Sequence, residues 1–170
     1  MGILTPDMRR VVREQRLGYI ATVCADNTPN LSPKGTTTVW DESHLAFADI
    51  RSPDTVRNLR ANPSIEINVV DPIVRKGYRF KGRAELHTGG EAYERGLRLL
   101  AGRGFDTRRE RIKTIVLVRV EQAAALVSPA YDAGAGEEAP RGALSDARLR
   151  RRRHGCARET ARAAPRRQWP

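Results

Sequence analysis

Gly77-Tyr78-Arg79-Phe80-Lys81-Gly82-Arg83-Ala84-Glu85-Leu86-His87-Thr88 alternates without a break. Tyr78, Phe80, Gly82, Ala84 and Leu86 fall on one side of an extended chain, and Arg79, Lys81, Arg83, Glu85 and His87 on the other. A period of two marks a β-strand with one face on a core. Three cations on one strand face are costly inside a barrel, so that side turns to solvent or into a ligand groove. Just upstream, Ile65, Ile67 and Val69 alternate with Ser64, Glu66 and Asn68, which predicts a neighbouring half-buried strand. Before it, Ser52-Pro53-Asp54 reads as helix N-cap, N1 proline and first-turn acid; Val56 and Leu59 share a face, and Asn62-Pro63 stops the helix.

Further toward the N-terminus, residues 18–24, 29–40 and 44–49 read as three extended runs separated by Asp26-Asn27 and Asp41-Glu42-Ser43. The connections are too short for parallel crossovers, so the three form an antiparallel meander. Thr5-Pro6-Asp7 opens a first helix whose stripe is Met8, Val11 and Val12, ending at Leu17-Gly18. Downstream of residue 88, Tyr93, Leu97 and Leu100 at i, i+4, i+7 predict a third helix. Residues 112–120 are apolar on nearly both faces and need cover on the outside, from a helix or a second subunit. Six strands with helices inserted between them predict an α+β fold built on a small closed or nearly closed antiparallel sheet, in a dimer.

The chain has 170 residues and a formal charge of +11, with 39% hydrophobic and 30% charged residues. The charge is uneven. Residues 141–170 contain ten Arg against one Asp and one Glu, a net of +8, while the first 140 residues carry only +3. The basic isoelectric point therefore describes a tail and does not make the body a nucleic-acid binder. Residues 1–131 are expected to form the domain, and residues 132–170, dominated by Ala, Gly, Arg and Pro, a disordered basic tail. No run approaches eighteen apolar residues, and Met1 to Asp7 lacks the features of a secretory signal, so no membrane association is expected. Cys24 and Cys156 lie far apart, which excludes a disulfide framework and makes a reducing, cytoplasmic setting the default. His44, His87 and His154 have no ligand spacing, so no metal site is expected, and no Walker or Rossmann glycine loop is present.

The element order, Leu31-Ser32-Pro33-Lys34-Gly35 on the second strand, Phe47-Ala48-Asp49 on the third and Asn58-Leu59-Arg60-Ala61-Asn62-Pro63 closing the helix together resemble the pyridoxamine 5′-phosphate oxidase-like, FMN-binding split-barrel proteins. Phe80-Lys81-Gly82-Arg83-Ala84-Glu85-Leu86 is also similar to a strand of that family. The resemblance spans roughly residues 8–131. It implies a six-stranded antiparallel split β-barrel with flanking helices, a homodimer, and FMN in a groove at the interface. The implied contacts on the second strand are Ser32, Pro33, Lys34, Gly35, Thr36 and Thr37. There, a glycine lets the backbone approach a flat ring, hydroxyls and amides suit ring and ribityl oxygens, and Lys34 supplies a point charge. The implied cofactor contacts at the turn into the second helix are Asp49, Ser52, Thr55 and Arg57, and the free amides and helix dipole there favour the FMN phosphate. The resemblance also implies Lys81 as an anion contact, since that strand of the family borders the flavin. Many relatives carry basic residues where this chain has Pro53 and Asp54. Pro53 removes a donor and Asp54 adds a negative charge, which Lys34, Arg51, Arg57 and Lys81 must offset.

The function implied is an FMN-dependent oxidoreductase acting on a small molecule, with no catalytic side chain nominated because the flavin carries the redox chemistry. The C-terminal tail does not resemble the phosphate-binding end of pyridoxamine-phosphate oxidase itself. Two alternatives differ from this reading. One is the same barrel holding the deazaflavin F420 or heme. The other is a dimeric scaffold whose basic tail docks nucleic acid or an acidic partner, for which the single tail aromatic, Trp169, offers thin stacking support.

Overall fold

A computed structural model describes residues 2–132. The elements are α1 (Pro6–Gln15), β1 (Gly18–Val23), β2 (Pro29–Lys34), β3 (Thr38–Val39), β4 (His44–Asp49), α2 (Pro53–Ala61), β5 (Ser64–Asp71), β6 (Lys76–His87), α3 (Gly90–Ala101) and β7 (Thr114–Val127), with a short 3-10 turn at Pro129–Tyr131. The expected disordered tail lies outside the described residues, Asp132 excepted. No described helix is long and apolar enough to cross a membrane.

All pairings are antiparallel, in the order β2-β1-β5-β6-β7-β4-β3. The two outer strands, β2 and β3, are consecutive in the chain and joined by residues 35–37, so the sheet curls round until its edges meet. This is the split barrel. Inward residues of the alternating strands fill it: Ile20, Leu45, Phe47, Ile67, Val69 and Phe80 are all essentially inaccessible. Val12 of α1 is buried in the same cluster, with Met8 and Val11 packed against it.

The sheet has seven strands where the sequence predicts six, because the run 29–40 is broken. The Thr37 amide and hydroxyl both donate to the Lys34 carbonyl, at 3.3 and 2.9 Å, closing a turn. The Thr36 hydroxyl accepts from the Ala48 amide at 3.0 Å and so ties the turn to β4. Residues 35–37 thus leave the strand ladder, and β3 begins after them.

β7 begins two residues later than predicted and runs seven residues further. Its extension, Gln122 to Val127, pairs with Lys76 to Lys81 across a bulge at Lys81/Gly82, so ladder pairing overrides the helical preference of three consecutive alanines. The need for outer cover on this strand is met within the chain. Val116, Val118 and Val120 point into the barrel, whereas Ile115 lies under α3 with Ala48, Tyr93, Leu97, Leu100 and Ile112. Gly96 makes this possible: a Cβ there would lie 2.7 Å from the Ile115 side chain. The Tyr93 hydroxyl donates to the Ile112 carbonyl at 2.6 Å and ties the first turn of α3 to the segment before β7. Apolar faces on residues 112–120 therefore do not by themselves require a second subunit.

Candidate functional site

The barrel's seam brings together Ser32 and Lys34 from β2, Asp49 from the end of β4 and Ser52 before α2. Lys34 is 7% exposed, and its ammonium donates to the Ser32 hydroxyl. Burial pushes the Lys34 pKa down and the nearby Asp49 carboxylate pushes it back up, with burial the stronger of the two. Asp49 is itself buried and accepts from both the amide and the hydroxyl of Ser52, each at 2.8 Å.

That capture of Ser52 overturns the expected N-cap. The Ser52 side chain makes no capping bond to α2, so the first amides of the helix gain nothing from it. Pro53 has no amide, leaving the N–H groups of Asp54 and Thr55 without an acceptor inside the helix. Beside them, Asp54 forms an exposed ion pair with Arg57 at 2.8 Å. Arg57 therefore neutralises the acid that sequence reading identifies as unfavourable.

The remaining sequence-predicted residues divide into three groups. Gly35 lies next to Lys34 with nothing within 4 Å of where a Cβ would stand, and its φ is not left-handed, so its backbone presents an open face. Pro33 is exposed on β2. Thr36, Thr37 and Thr55 are buried with their hydroxyls engaged inside the chain: Thr36 on Ala48, Thr37 on the Lys34 carbonyl, Thr55 accepting from Asn30 at 3.5 Å. Asn30 also donates to Thr22, as does Asn58 at 3.2 Å, and Asn58 reaches the Cys24 sulfur at 3.4 Å. This polar knot explains why α2 sits where it does.

Lys81 is not brought to the seam. It faces outward on β6, 3.7 Å from Glu66 of β5, with β1 and β5 between it and β2, three strand spacings or about 14 Å. Glu66 also holds Arg79 at 3.0 Å. The outward cation row is thus partly balanced by the adjacent strand, and it borders a separate cavity of about 450 Å³ with Ala21, Val23, Pro29 and Gln122.

One residue at the seam, Arg103, carries no sequence signal. Its guanidinium reaches back 66 to 68 positions and donates to the carbonyls of Gly35, Thr36 and Thr37, at 3.4, 3.1 and 2.8 Å. Arg103 supports the seam from behind. No sequence signal separates it from Arg108 and Arg111, which do lie in the loop, paired with Asp106 at 2.7 and 3.2 Å.

The family model described as pyridoxamine 5′-phosphate oxidase matches residues 4–126. HupZ from Group A Streptococcus is similar in structure, with 32% identity, covering 74% of this chain and 96% of that one, at a TM-score of 0.66. An FMN-binding protein from Syntrophomonas wolfei (13% identity, 74% and 87% covered, TM-score 0.61) and the heme storage protein HutZ from Vibrio cholerae (18%, 75% and 95%, 0.60) share the fold alone. No match is found among curated proteins. With a seven-stranded barrel closed at residues 35–37, and a family match over most of its length, the chain belongs to the pyridoxamine 5′-phosphate oxidase family.

Proposed function

We propose that the protein is an FMN-dependent oxidoreductase and that the seam holds the cofactor. One observation carries this reading: a buried lysine, Lys34, stands between an open glycine backbone and a helix N-terminus whose cap has been drawn away. A flat ring fits against Gly35, where no side chain obstructs it, and an anionic group fits the amides of Asp54 and Thr55 together with the Lys34 charge. The charges near the seam are balanced for an anion. Lys34 offsets Asp49 and Arg57 offsets Asp54, and Arg51, next to Ser52 in the chain, adds one positive charge for a phosphate.

FMN supplies hydride and electron transfer when bound. The chain's own residues bind and orient it. Lys34 places a cation, Asp49 holds Ser52 off the helix end, and Arg103 fixes the carbonyls of 35–37 so that the turn keeps its shape. The engaged hydroxyls of Thr36, Thr37 and Thr55 contribute through structure, leaving backbone groups to meet a ligand.

A homodimer belongs to the same proposal. Tyr19 and Leu31, on the outer face of β1 and β2, are 42% and 65% exposed, and Ala21 and Pro33 lie beside them by register. Opposite Tyr19 on β5, the Asn68 side-chain oxygen is buried with no hydrogen-bond partner. A second copy placed on this face would cover the apolar strip and reach the seam.

The test is an absorption spectrum of the purified full chain, before and after adding FMN. Flavin bands on the protein, and FMN binding weakened about tenfold by Lys34→Ala, support the proposal. A Soret band or a deazaflavin spectrum, with FMN failing to displace the pigment, refutes it in favour of heme or F420.

A further inference from the structure

We propose that the groove between α1 and α3, which backs onto the 35–37 turn through Arg103 but contains none of the residues assigned to the cofactor, is a second binding site, for a phosphorylated small molecule. The groove encloses about 660 Å³, within the range of small-ligand pockets. Arg9 and Arg13 line it from α1, Arg98 from α3 and Arg103 from just beyond α3, with Trp40 forming a wall. The outer stack on that wall is fixed: the Arg95 guanidinium lies 4.2 Å from the Trp40 ring centre and donates to the Trp40 carbonyl at 3.1 Å.

The charges in this groove are poorly compensated. Two carboxylates line it. Glu42 takes Arg9 at 3.2 Å, and Asp41 is occupied by the amides of Ser43 and His44 and by the His44 ring. Among the described residues neither Arg13 nor Arg98 has a carboxylate partner. The hydrogen bonds of Arg103 go to backbone carbonyls, which leave its charge standing, and both burial and the positive charge of Arg16 disfavour its charged form. Arg9 and Arg13 are spaced i, i+4, so one side of α1 presents two guanidiniums to this groove, and Arg16, the left-handed residue that ends the helix, adds a positive charge near Arg103.

Like charges crowded in a concavity, one of them desolvated, are relieved by a multivalent anion. Guanidinium forks match phosphate oxygens two at a time. The concave shape suits a compact ligand better than an extended polymer. A phosphate-bearing molecule with at least two negative charges fits the charge and the volume together.

The experiment is calorimetric titration of the full chain with inorganic pyrophosphate, compared with sulfate at matched ionic strength. One pyrophosphate per chain is expected, bound more tightly than sulfate. Arg13→Ala/Arg98→Ala should weaken it by about tenfold or more, and the outlying Arg60→Ala should leave it unchanged. Both groove substitutions are on exposed side chains, so a thermal melt close to that of the unmodified protein is expected; Arg98→Glu alone provides an independent loss of affinity at the same place. Pyrophosphate binding that survives the double substitution places the anion elsewhere, on the cofactor seam or the Arg-rich tail, and overturns the proposal. Affinity equal to that of sulfate overturns it too, as does displacement of pyrophosphate by an acidic peptide or an RNA oligonucleotide at lower concentration.

Discussion

Thr5-Pro6-Asp7 and Ser52-Pro53-Asp54 are nearly the same tripeptide at the start of two helices, and they end in opposite arrangements. At α1 the Thr5 hydroxyl accepts from the Met8 amide at 3.3 Å, and Asp7 is tied to Arg10 and to the Tyr78 hydroxyl at 2.5 Å. Every group in that motif has a structural task. At α2 the Ser52 hydroxyl is turned to Asp49 and the helix end is left uncapped. The local sequence offers the same cap in both places. A competing carboxylate on the end of β4 decides the outcome, because a charged acceptor outbids the helix amides for one hydroxyl. A capped helix end serves stability, and an uncapped one remains free for a ligand.

The largest effect is expected at Asp49. Asp49→Ala removes two hydrogen bonds to Ser52 and the carboxylate that offsets the buried Lys34, and should cost about 3 kcal/mol in denaturant unfolding. A loss no larger than that of an ordinary surface substitution would mean that Asp49 does not control this end of α2. Next in size, Thr5→Ala should destabilise by about 1 kcal/mol as a lost N-cap, with FMN affinity unchanged, since that helix end has no ligand task. An equal loss of FMN would erase the distinction between the two motifs.

Asp54→Asn sharpens the comparison at the second motif. It removes a negative charge from the uncapped end and releases Arg57, and should tighten FMN by about 0.3–1 kcal/mol while leaving riboflavin alone. Weaker binding of both ligands would show that Asp54 holds the helix and that no phosphate sits there. The mildest expected effect is a slope with pH. Because burial depresses the Lys34 pKa below its usual 10.5, the unfolded chain binds more protons between the native value and 10.5. Stability carried by this group should therefore rise with pH across that window. Lys34→Met should flatten the slope in pH-dependent unfolding. Saturating FMN should flatten it as well, since a phosphate favours the charged lysine; a slope insensitive to both would separate Lys34 from the site.

Much of the architecture was legible because it rests on short-range periodicity. The alternation in residues 77–88 places Phe80 and Ala84 inside and Arg79, Lys81 and Arg83 outside, as found. Tyr93, Leu97 and Leu100 form the buried stripe of α3. The seam was only half legible. Lys34, Gly35, Asp49 and Ser52 could be named from a family pattern, but the internal engagement of the Thr36, Thr37 and Thr55 hydroxyls depends on partners from other strands. Lys81 matches the pattern equally well and lies three strands away.

Local side-chain spacing was enough for the helices, for every strand but the short β3, and for the faces they bury, because each follows from side chains two to four residues apart. The sequence also determined the separation of a mildly basic body from an Arg-rich tail. Long-range packing settled which of two like motifs lost its cap, that Arg103 rather than its loop neighbours grips residues 35–37, and that α1 and α3 turn their arginines toward one groove. Those outcomes are competitions among hydrogen-bond and charge partners 3 to 68 residues apart, settled when the barrel closes and brings them within about 3 Å of one another.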